Sequence, residues 1–399
     1  MIVSVPGSPF RPSDYLNVFP TIYEGIRAVA ATGQALGISA IATYEPAQKL
    51  GNEWFGARIT RKFVHHTGTQ SRPISSVDEV TMGLHAVENL RHEAGCNLRD
   101  CAAMVFVSPS FVPMNMARKF LEPQLRKGER LTQAARALAR RIGIANRPCL
   151  GMNWFCSGYV KALSLVRHKL APAVNLRRNQ FILVVTAGRI SRITDYTCAQ
   201  SGPLFGDMAT ATLLSRSDSG KYPVHLQIKS AFAEKLSAPG VYFNFDICRN
   251  EVFPEVTATG DTVPEGRNSG ASPRLVFSLD GLGIAEVAPR AMANSVSKAL
   301  HAKKIDPQEL SYVVPHQAGT GIVRLAAMKL EQAGVGAEVI NGITAQVGNV
   351  SSSSIPFALK QSWHRLSGII ACPAAAVGAP GKAEVSQGCL VLQTISKCA

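Results

Sequence analysis

No stretch of this chain comes near the ~18 unbroken apolar residues that a membrane-crossing helix needs. The longest apolar run, Ile369 to Ala379, is interrupted by Pro373 and Gly378. The start of the chain has no basic segment ahead of an apolar core, the form a secretion signal takes. A soluble cytoplasmic protein without a membrane span is therefore the expectation. The nine cysteines form no CxxC pair and no His/Cys cluster at zinc-ligand spacing. Such a scattered, odd-numbered set reads as reduced thiols, most of them buried as small hydrophobes. Charge is scarce at 17% against 46% hydrophobic residues, which excludes a disordered chain and leaves material for a large core. Acidic residues are the scarcer sign, 27 against 42 basic, for a net charge of +15. That surplus attracts polyanions, whether nucleic acid, an anionic membrane surface or an acidic protein.

What is present is an alternation of short apolar runs with helical periodicity, the mark of α/β architecture. At 399 residues, two or three compact units are expected. Residues 1–37 read as an N-terminal extension with a helix over Thr21 to Ala31. Strands are expected at Ile38 to Ala42, Ala102 to Val107 and Phe181 to Thr186, with a helix over Val77 to Glu93 between the first two. Residues 215–272 are weaker in pattern and read as connecting loops and hairpins. The rhythm resumes with a strand at Leu275 to Leu279, a helix over Ile284 to Leu300, a strand at Tyr312 to Val314, a helix over Gly321 to Leu330 and a strand at Leu390 to Thr394. Two α/β halves, 38–214 and 273–399, are the simplest division, and no repeat in the sequence proves duplication.

Three stretches carry chemistry. Asn153-Trp154-Phe155-Cys156-Ser157-Gly158 precedes an apolar face at Val160, Leu163, Val166 and Leu170, so Cys156 stands at a helix start. Unpaired N–H groups and the positive helix end there favour a thiolate, a nucleophile suited to thioesters. A packed, inert thiol is the commoner fate of a single cysteine. His316, in Pro315-His316-Gln317-Ala318, lies just past a strand, where α/β folds present functional groups. Asn349 lies in a Gly/Ser-rich turn, Gly348-Asn349-Val350 and then Ser351 to Ser354, before Ile355-Pro356. Each alone has a structural reading, a hydrogen-bonded histidine or a turn former.

Together and in this order, these stretches resemble the β-ketoacyl-acyl carrier protein synthase III branch of the thiolase superfamily. Phe205-Gly206-Asp207, Leu279-Asp280-Gly281 and Thr67-Gly68 add to the likeness, which runs from about Ile38 to Thr394. The resemblance implies the thiolase fold, an α/β protein of two similar halves in five layers (αβαβα), as a homodimer. It makes Cys156 the acyl-accepting nucleophile, with His316 and Asn349 donating to the carbonyl oxygen of the second thioester. It implies no metal and no resident cofactor, the substrates arriving as phosphopantetheine or coenzyme A thioesters. The backbone N–H of Cys156 would hold the first oxyanion, with Gly381 as a weak candidate for the second donor.

Departures from the family pattern accompany the likeness. Lys62 and His66 stand where the family sandwiches adenine, Gly319 replaces an asparagine, and Trp154 and Phe155 replace small residues before the nucleophile. Between the gating segment Phe111 to Met114 and Cys156, residues 118–147 carry a basic insertion. It reads either as a solvated face or as a docking patch for an acidic acyl carrier protein, which Arg324 and Lys329 could extend. Without aromatic interleaving, it does not read as a nucleic-acid site. The activity implied is Claisen condensation of an acyl-enzyme with a malonyl-type carrier thioester, in fatty acid or polyketide-type biosynthesis. Head-to-head condensation is the alternative, with Glu122 or Glu129 as base. Acyl transfer to oxygen or nitrogen is another, and a non-catalytic subunit a third.

Overall fold

The computed structural model describes residues 35–110, 131–248, 252–256, 262–267, 274–279 and 281–395. The helix expected over Thr21 to Ala31, the gating segment Phe111 to Met114, Glu122, Glu129 and the first part of the basic insertion lie outside the described residues.

Ten strands build one large sheet: β1 (Leu36–Tyr44), β2 (Cys101–Val107), β3 (Cys149–Met152), β4 (Phe181–Gly188), β5 (Met208–Arg216), β6 (Leu226–Ser237), β7 (Leu310–Val313), β8 (Glu338–Val339), β9 (Ile369–Val377) and β10 (Glu384–Thr394). Their spatial order is β8-β7-β9-β10-β6-β1-β5-β4-β2-β3. Six helices matter here: α1 (Glu79–Ala94), α2 (Leu131–Arg141), α3 (Gly158–Leu165), α4 (Gly281–Lys303), α5 (Thr320–Gln332) and α6 (Ser354–Ser362).

The two ends of this sheet are built alike. From its middle outward, β1 pairs antiparallel with β5, β5 antiparallel with β4, and β4 and β3 both flank β2 in parallel. In the other direction, β6 pairs antiparallel with β10, β10 antiparallel with β9, and β9 and β8 flank β7 in parallel. The chain also visits its helices in the same order in each half. Among the described residues, only Gly37↔Gln227 and Ile38↔Leu226 join the halves as a ladder. The duplication that the sequence could not prove is thus written in the topology.

Periodicity explains the layers. All seven residues of β2 and all eight of β4 are buried, as expected of strands covered on both faces. One core lies between the halves. There Val160, Leu163, Val166 and Leu170 of the α3 stretch and Ile355, Ala358 and Leu359 of α6 meet residues of both strand sets, among them Val105, Val184, Ile370 and Leu390. A second core lies under α1 and α2, and a third under α4 and α5. The result is helices, strands, helices, strands, helices. The helix after Cys156 passes through a π turn at Val166–Leu170, which keeps Val166 and Leu170 on the buried side. Asp78 caps α1 by accepting from the Thr81 N–H at 2.7 Å, and Gly95 ends it in a left-handed turn.

Several sequence expectations are corrected. Leu226–Ser237, within the stretch read as loops and hairpins, is a 12-residue strand of the main sheet. Its alternation is broken by charged residues where one face reaches solvent. Arg274–Leu279 is a strand but stands outside the main sheet, paired with Phe243–Cys248 in a two-stranded ribbon. Ile369–Val377 is a central strand despite Pro373. Its ladder with β7 ends at Val313↔Ala371, so the proline's missing N–H falls where no β7 residue requires it. Arg136 and Arg140 are exposed on α2, while exposed Arg324 and half-buried Lys329 belong to α5. These helices sit on opposite outer layers, so they form separate basic faces rather than one patch.

Candidate active site

Cys156 and Asn349 occupy matching corners of the two halves. Each corner follows the third strand of its half and feeds the central helix, α3 or α6. Asn153 opens the first, its Oδ1 accepting from the Phe155 N–H at 2.9 Å. Asn349 opens the second, its Oδ1 accepting from the Ser351 N–H at 2.8 Å. The residue that donates has a left-handed backbone in both cases, φ 44° at Phe155 and φ 50° at Ser351. For residues with a Cβ this costs ~1–2 kcal/mol each, and the asparagine turns help to hold it. One serine of each corner then reaches across to the other half's strands. Ser157 Oγ lies 2.7 Å from Ser386 Oγ on β10, and Ser353 Oγ lies 2.8 Å from Thr186 Oγ1 on β4.

Close packing forces glycine at two of these places. A Cβ on Gly158 would lie 2.6 Å from Val107 Cγ1. Gly348 adopts φ 61° and ψ −157°, a region open only to glycine, and a Cβ there would lie 2.6 Å from the Leu204 carbonyl oxygen. The backbone of Asn349 is clamped as well: its N–H donates to Leu204 O at 2.8 Å and its carbonyl accepts from Gly206 N–H at 3.2 Å.

These corners bring Cys156 and Asn349 together, and His316 joins the second corner through Ser354. Ser351 Oγ lies 3.5 Å from Cys156 Sγ. The Asn349 side chain also hydrogen-bonds the sulfur. Because its oxygen is taken by Ser351, the amide NH₂ is the part that faces the thiol. His316 follows β7, and its N–H donates to the Pro373 carbonyl on β9 at 2.9 Å. Its Nδ1 lies 2.6 Å from Ser354 Oγ, in the same corner as Ser351. The turn Phe155–Ser157 that carries Cys156 packs on β9 too.

Electrostatics corrects one expectation. Cys156 does stand at a helix start, in a short 3-10 turn ahead of α3. Burial nevertheless dominates and pushes the thiol up to about 11, although Ser351, its own N–H and Asn349 all favour the thiolate. The thiol is therefore neutral at rest near neutral pH, while the residue as a whole stays half-buried rather than sealed. His316 is 2% exposed, and burial pulls it down to about 3, so the imidazole is neutral too. A neutral imidazole and a carboxamide can each donate to an oxygen on which negative charge grows.

Gly381 does not serve as the second oxyanion donor: its N–H is taken by the Phe243 carbonyl at 2.9 Å. Gly378, in the same turn, donates to Glu384 O at 2.7 Å. Lys62 and His66 are exposed on the short helix Arg61–Thr67, which packs against the start of α5 where Thr320 Oγ1 donates to Thr67 O at 3.3 Å. Sequence reasoning missed Asn153, Ser351 and Ser354. Each lies inside a quoted stretch, Asn153 to Gly158 or Gly348 to Pro356, but was given no role of its own. An aromatic cluster beside the nucleophile was missed as well: Phe155 contacts Phe243 at 4.8 Å, and Phe205, Phe245 and Phe277 complete it.

The comparisons with known proteins agree with this geometry. Residues 150–230 match the family model for 3-oxoacyl-[acyl-carrier-protein (ACP)] synthase III, and residues 300–368 match the model for its C-terminal part. The first match holds Cys156 and the second holds His316 and Asn349. A beta-ketoacyl-[acyl-carrier-protein] synthase III of Sulfurovum sp. is 25% identical over 81% of this chain and 86% of its own. Other curated relatives match over 61% of their own length. Among solved structures, 3-oxoacyl-[acyl-carrier-protein] synthase III from Aquifex aeolicus superposes with a TM-score of 0.62 at 20% identity, covering 90% of this chain and 99% of that one. The priming beta-ketosynthase of the R1128 polyketide pathway gives 0.64 at 20% identity, covering 90% and 97%. Duplicated halves in five layers, with the likeness to these solved structures, define the class: this is a thiolase-fold protein. In sequence the chain is similar to the ketoacyl synthase III enzymes over the two stretches that the family models match.

Proposed function

We propose that the protein condenses a Cys156-bound acyl group with a malonyl-type thioester, losing carbon dioxide and releasing a β-ketoacyl thioester. The observation that carries this reading is the Asn349 side chain at the Cys156 sulfur, with neutral His316 bonded to Ser354 of the same turn. In the first half-reaction the sulfur attacks an acyl thioester and the donor thiol departs. The proton lost by Cys156 ends on that thiol, so no net charge is left behind. In the second, the bond to the malonyl carboxylate breaks and carbon dioxide leaves. The electron pair passes to the thioester oxygen, where His316 and Asn349 donate. The carbanion then attacks the acyl carbon, and Cys156 leaves as thiolate and takes up a proton. One fixed donor at such an oxygen is worth ~3–4 kcal/mol.

Head-to-head condensation needs a free carboxylate to remove an α-proton. Among the described residues, the buried carboxylates are occupied. Glu79 accepts from Ser110 Oγ at 2.6 Å and pairs with Arg192, while Asp207 accepts from Ser75 N–H, Ser191 N–H and Ser191 Oγ. Retention of Asn349 favours carbon–carbon bond formation over transfer to oxygen or nitrogen.

An acidic acyl carrier protein is the proposed donor, since exposed Arg136 and Arg140 on α2 and Arg324 on α5 give it cationic faces to approach. A second copy of the chain would extend the sheet at β3, whose outer edge is unpaired among the described residues. The reading places the enzyme in fatty acid or polyketide-type synthesis in the cytoplasm. Acyl-carrier protein should leave a mass adduct on Cys156 that Cys156→Ala abolishes. Product analysis with and without malonyl carrier protein then separates condensation from transfer. Equal acylation of the Cys156→Ala protein would overturn the reading.

A further inference from the structure

We infer that the Ser354 hydroxyl sets the tautomer of His316, holding its proton on Nε2 so that the imidazole can donate to the substrate oxygen. Ser354 is a positioning residue: it acts through His316 and touches no reacting atom. The inference deepens the proposed function and rests on it for its catalytic consequence.

The argument is an accounting of one proton. Ser354 Oγ lies 3.3 Å from the Gln317 N–H, which can only donate, so the oxygen accepts there. Its other partner is His316 Nδ1 at 2.6 Å. Both residues are buried, Ser354 at 1% and His316 at 2% exposure. If Nδ1 carried the imidazole proton, Ser354 would accept from two donors, and its own hydroxyl proton would face no acceptor among the described residues. Burying a donor without an acceptor is unfavourable. If Nδ1 is bare, the hydroxyl donates to it and every group in the set is satisfied. The imidazole proton then sits on Nε2, which has no partner among the described residues and is left for substrate. A tenfold preference for this arrangement corresponds to ~1.4 kcal/mol.

The backbone supports the same orientation. His316 N–H donates to Pro373 O, and His316 O accepts from Ala318 N–H at 3.0 Å, which fixes the chain on both sides of the ring. Gln317 is held by its own side chain, which donates to Pro315 O and Ile340 O at 3.0 Å each. Ser354 thus meets a histidine that has little freedom to turn away.

The direct test is ¹⁵N NMR of histidine-labelled full-length protein, with the His316 signals assigned by comparison with His316→Gln. Wild type should show the Nε2-protonated pattern, and Ser354→Ala a mixture with the Nδ1-protonated form. An Nδ1-protonated wild type would overturn the inference whatever the enzyme's reaction is. For catalysis, carbon dioxide release from malonyl carrier protein should fall roughly 10- to 100-fold in kcat for Ser354→Ala, with KM within about threefold. Acylation of Cys156 should change by less than about threefold, and Ser354→Thr, which keeps a hydroxyl, should restore release to within about threefold. Equal loss of both half-reactions in Ser354→Ala would mean that the corner has collapsed, and would overturn the inference. So would an unchanged rate of release. A wild-type protein that binds malonyl carrier protein but releases no carbon dioxide would instead remove the condensation reading, leaving the tautomer assignment to stand on the NMR.

Discussion

Removing the Asn349 side chain separates its chemical role from its structural one, because the fold supplies a matched control. In Asn349→Ala two things are lost. The NH₂ that faces the sulfur disappears, and with it one donor to the oxygen on which charge accumulates. That alone is worth ~2.7–4 kcal/mol, or roughly 10²–10³ in rate. The acceptor for the Ser351 N–H disappears as well, leaving a buried donor in a strained turn at a cost of about 1–3 kcal/mol in stability. Asn153→Ala incurs the second loss at the other corner, since its oxygen accepts from Phe155 N–H in the same geometry. It removes no donor from the enolate, because the Asn153 NH₂ points to the Pro109 carbonyl. Both variants should therefore melt earlier by similar amounts. In single-turnover assays on protein already acylated at Cys156, release of carbon dioxide should fall 10²–10³-fold for Asn349→Ala and less than about tenfold for Asn153→Ala. Formation of the acyl-enzyme should suffer more in Asn153→Ala, which loosens the corner that presents the sulfur. If the two variants lower carbon dioxide release equally, Asn349 is only a turn former and the assignment of its amide fails.

Three further outcomes are expected. With its thiol pushed up to about 11, Cys156 should react with iodoacetamide at a rate that climbs about tenfold per pH unit from pH 7 to 10. A plateau below pH 8 would show that the thiolate forms more readily than burial here allows. Gly348→Ala should destabilise the fold by roughly 2–4 kcal/mol, since it combines a glycine-only backbone with a Cβ 2.6 Å from Leu204 O. An unchanged thermal midpoint would refute the packing argument. Charge reversal at Arg136 and Arg140 should slow acylation by carrier protein, more so at low salt, and spare small thioesters. Equal loss with both donors would rule out docking on α2.

Much of the site was legible in the sequence because its signals are local. A cysteine ahead of an apolar helical face, a histidine after a strand and an asparagine between glycine and serines are each set by a few neighbouring residues, and all three sit where those neighbours indicated. The buried strands β2 and β4 were legible for the same reason. What stayed hidden depends on partners far along the chain. Leu226–Ser237 looks like loop until β10 hydrogen-bonds along its whole length. Gly381 looks like an oxyanion donor until the Phe243 carbonyl takes its N–H.

The sequence by itself determined which segments are apolar on one side or on both and where the chain must turn, and it offered three side chains as candidates for thioester chemistry. Only the tertiary structure decided that two corners are copies of each other, that burial makes the thiol and the imidazole neutral, and that one serine faces the imidazole. Periodicity and turn preference act over a few residues and can be read along the chain. Burial, proton position and strand pairing are set by groups distant along the chain, and have no value until the chain folds back on itself.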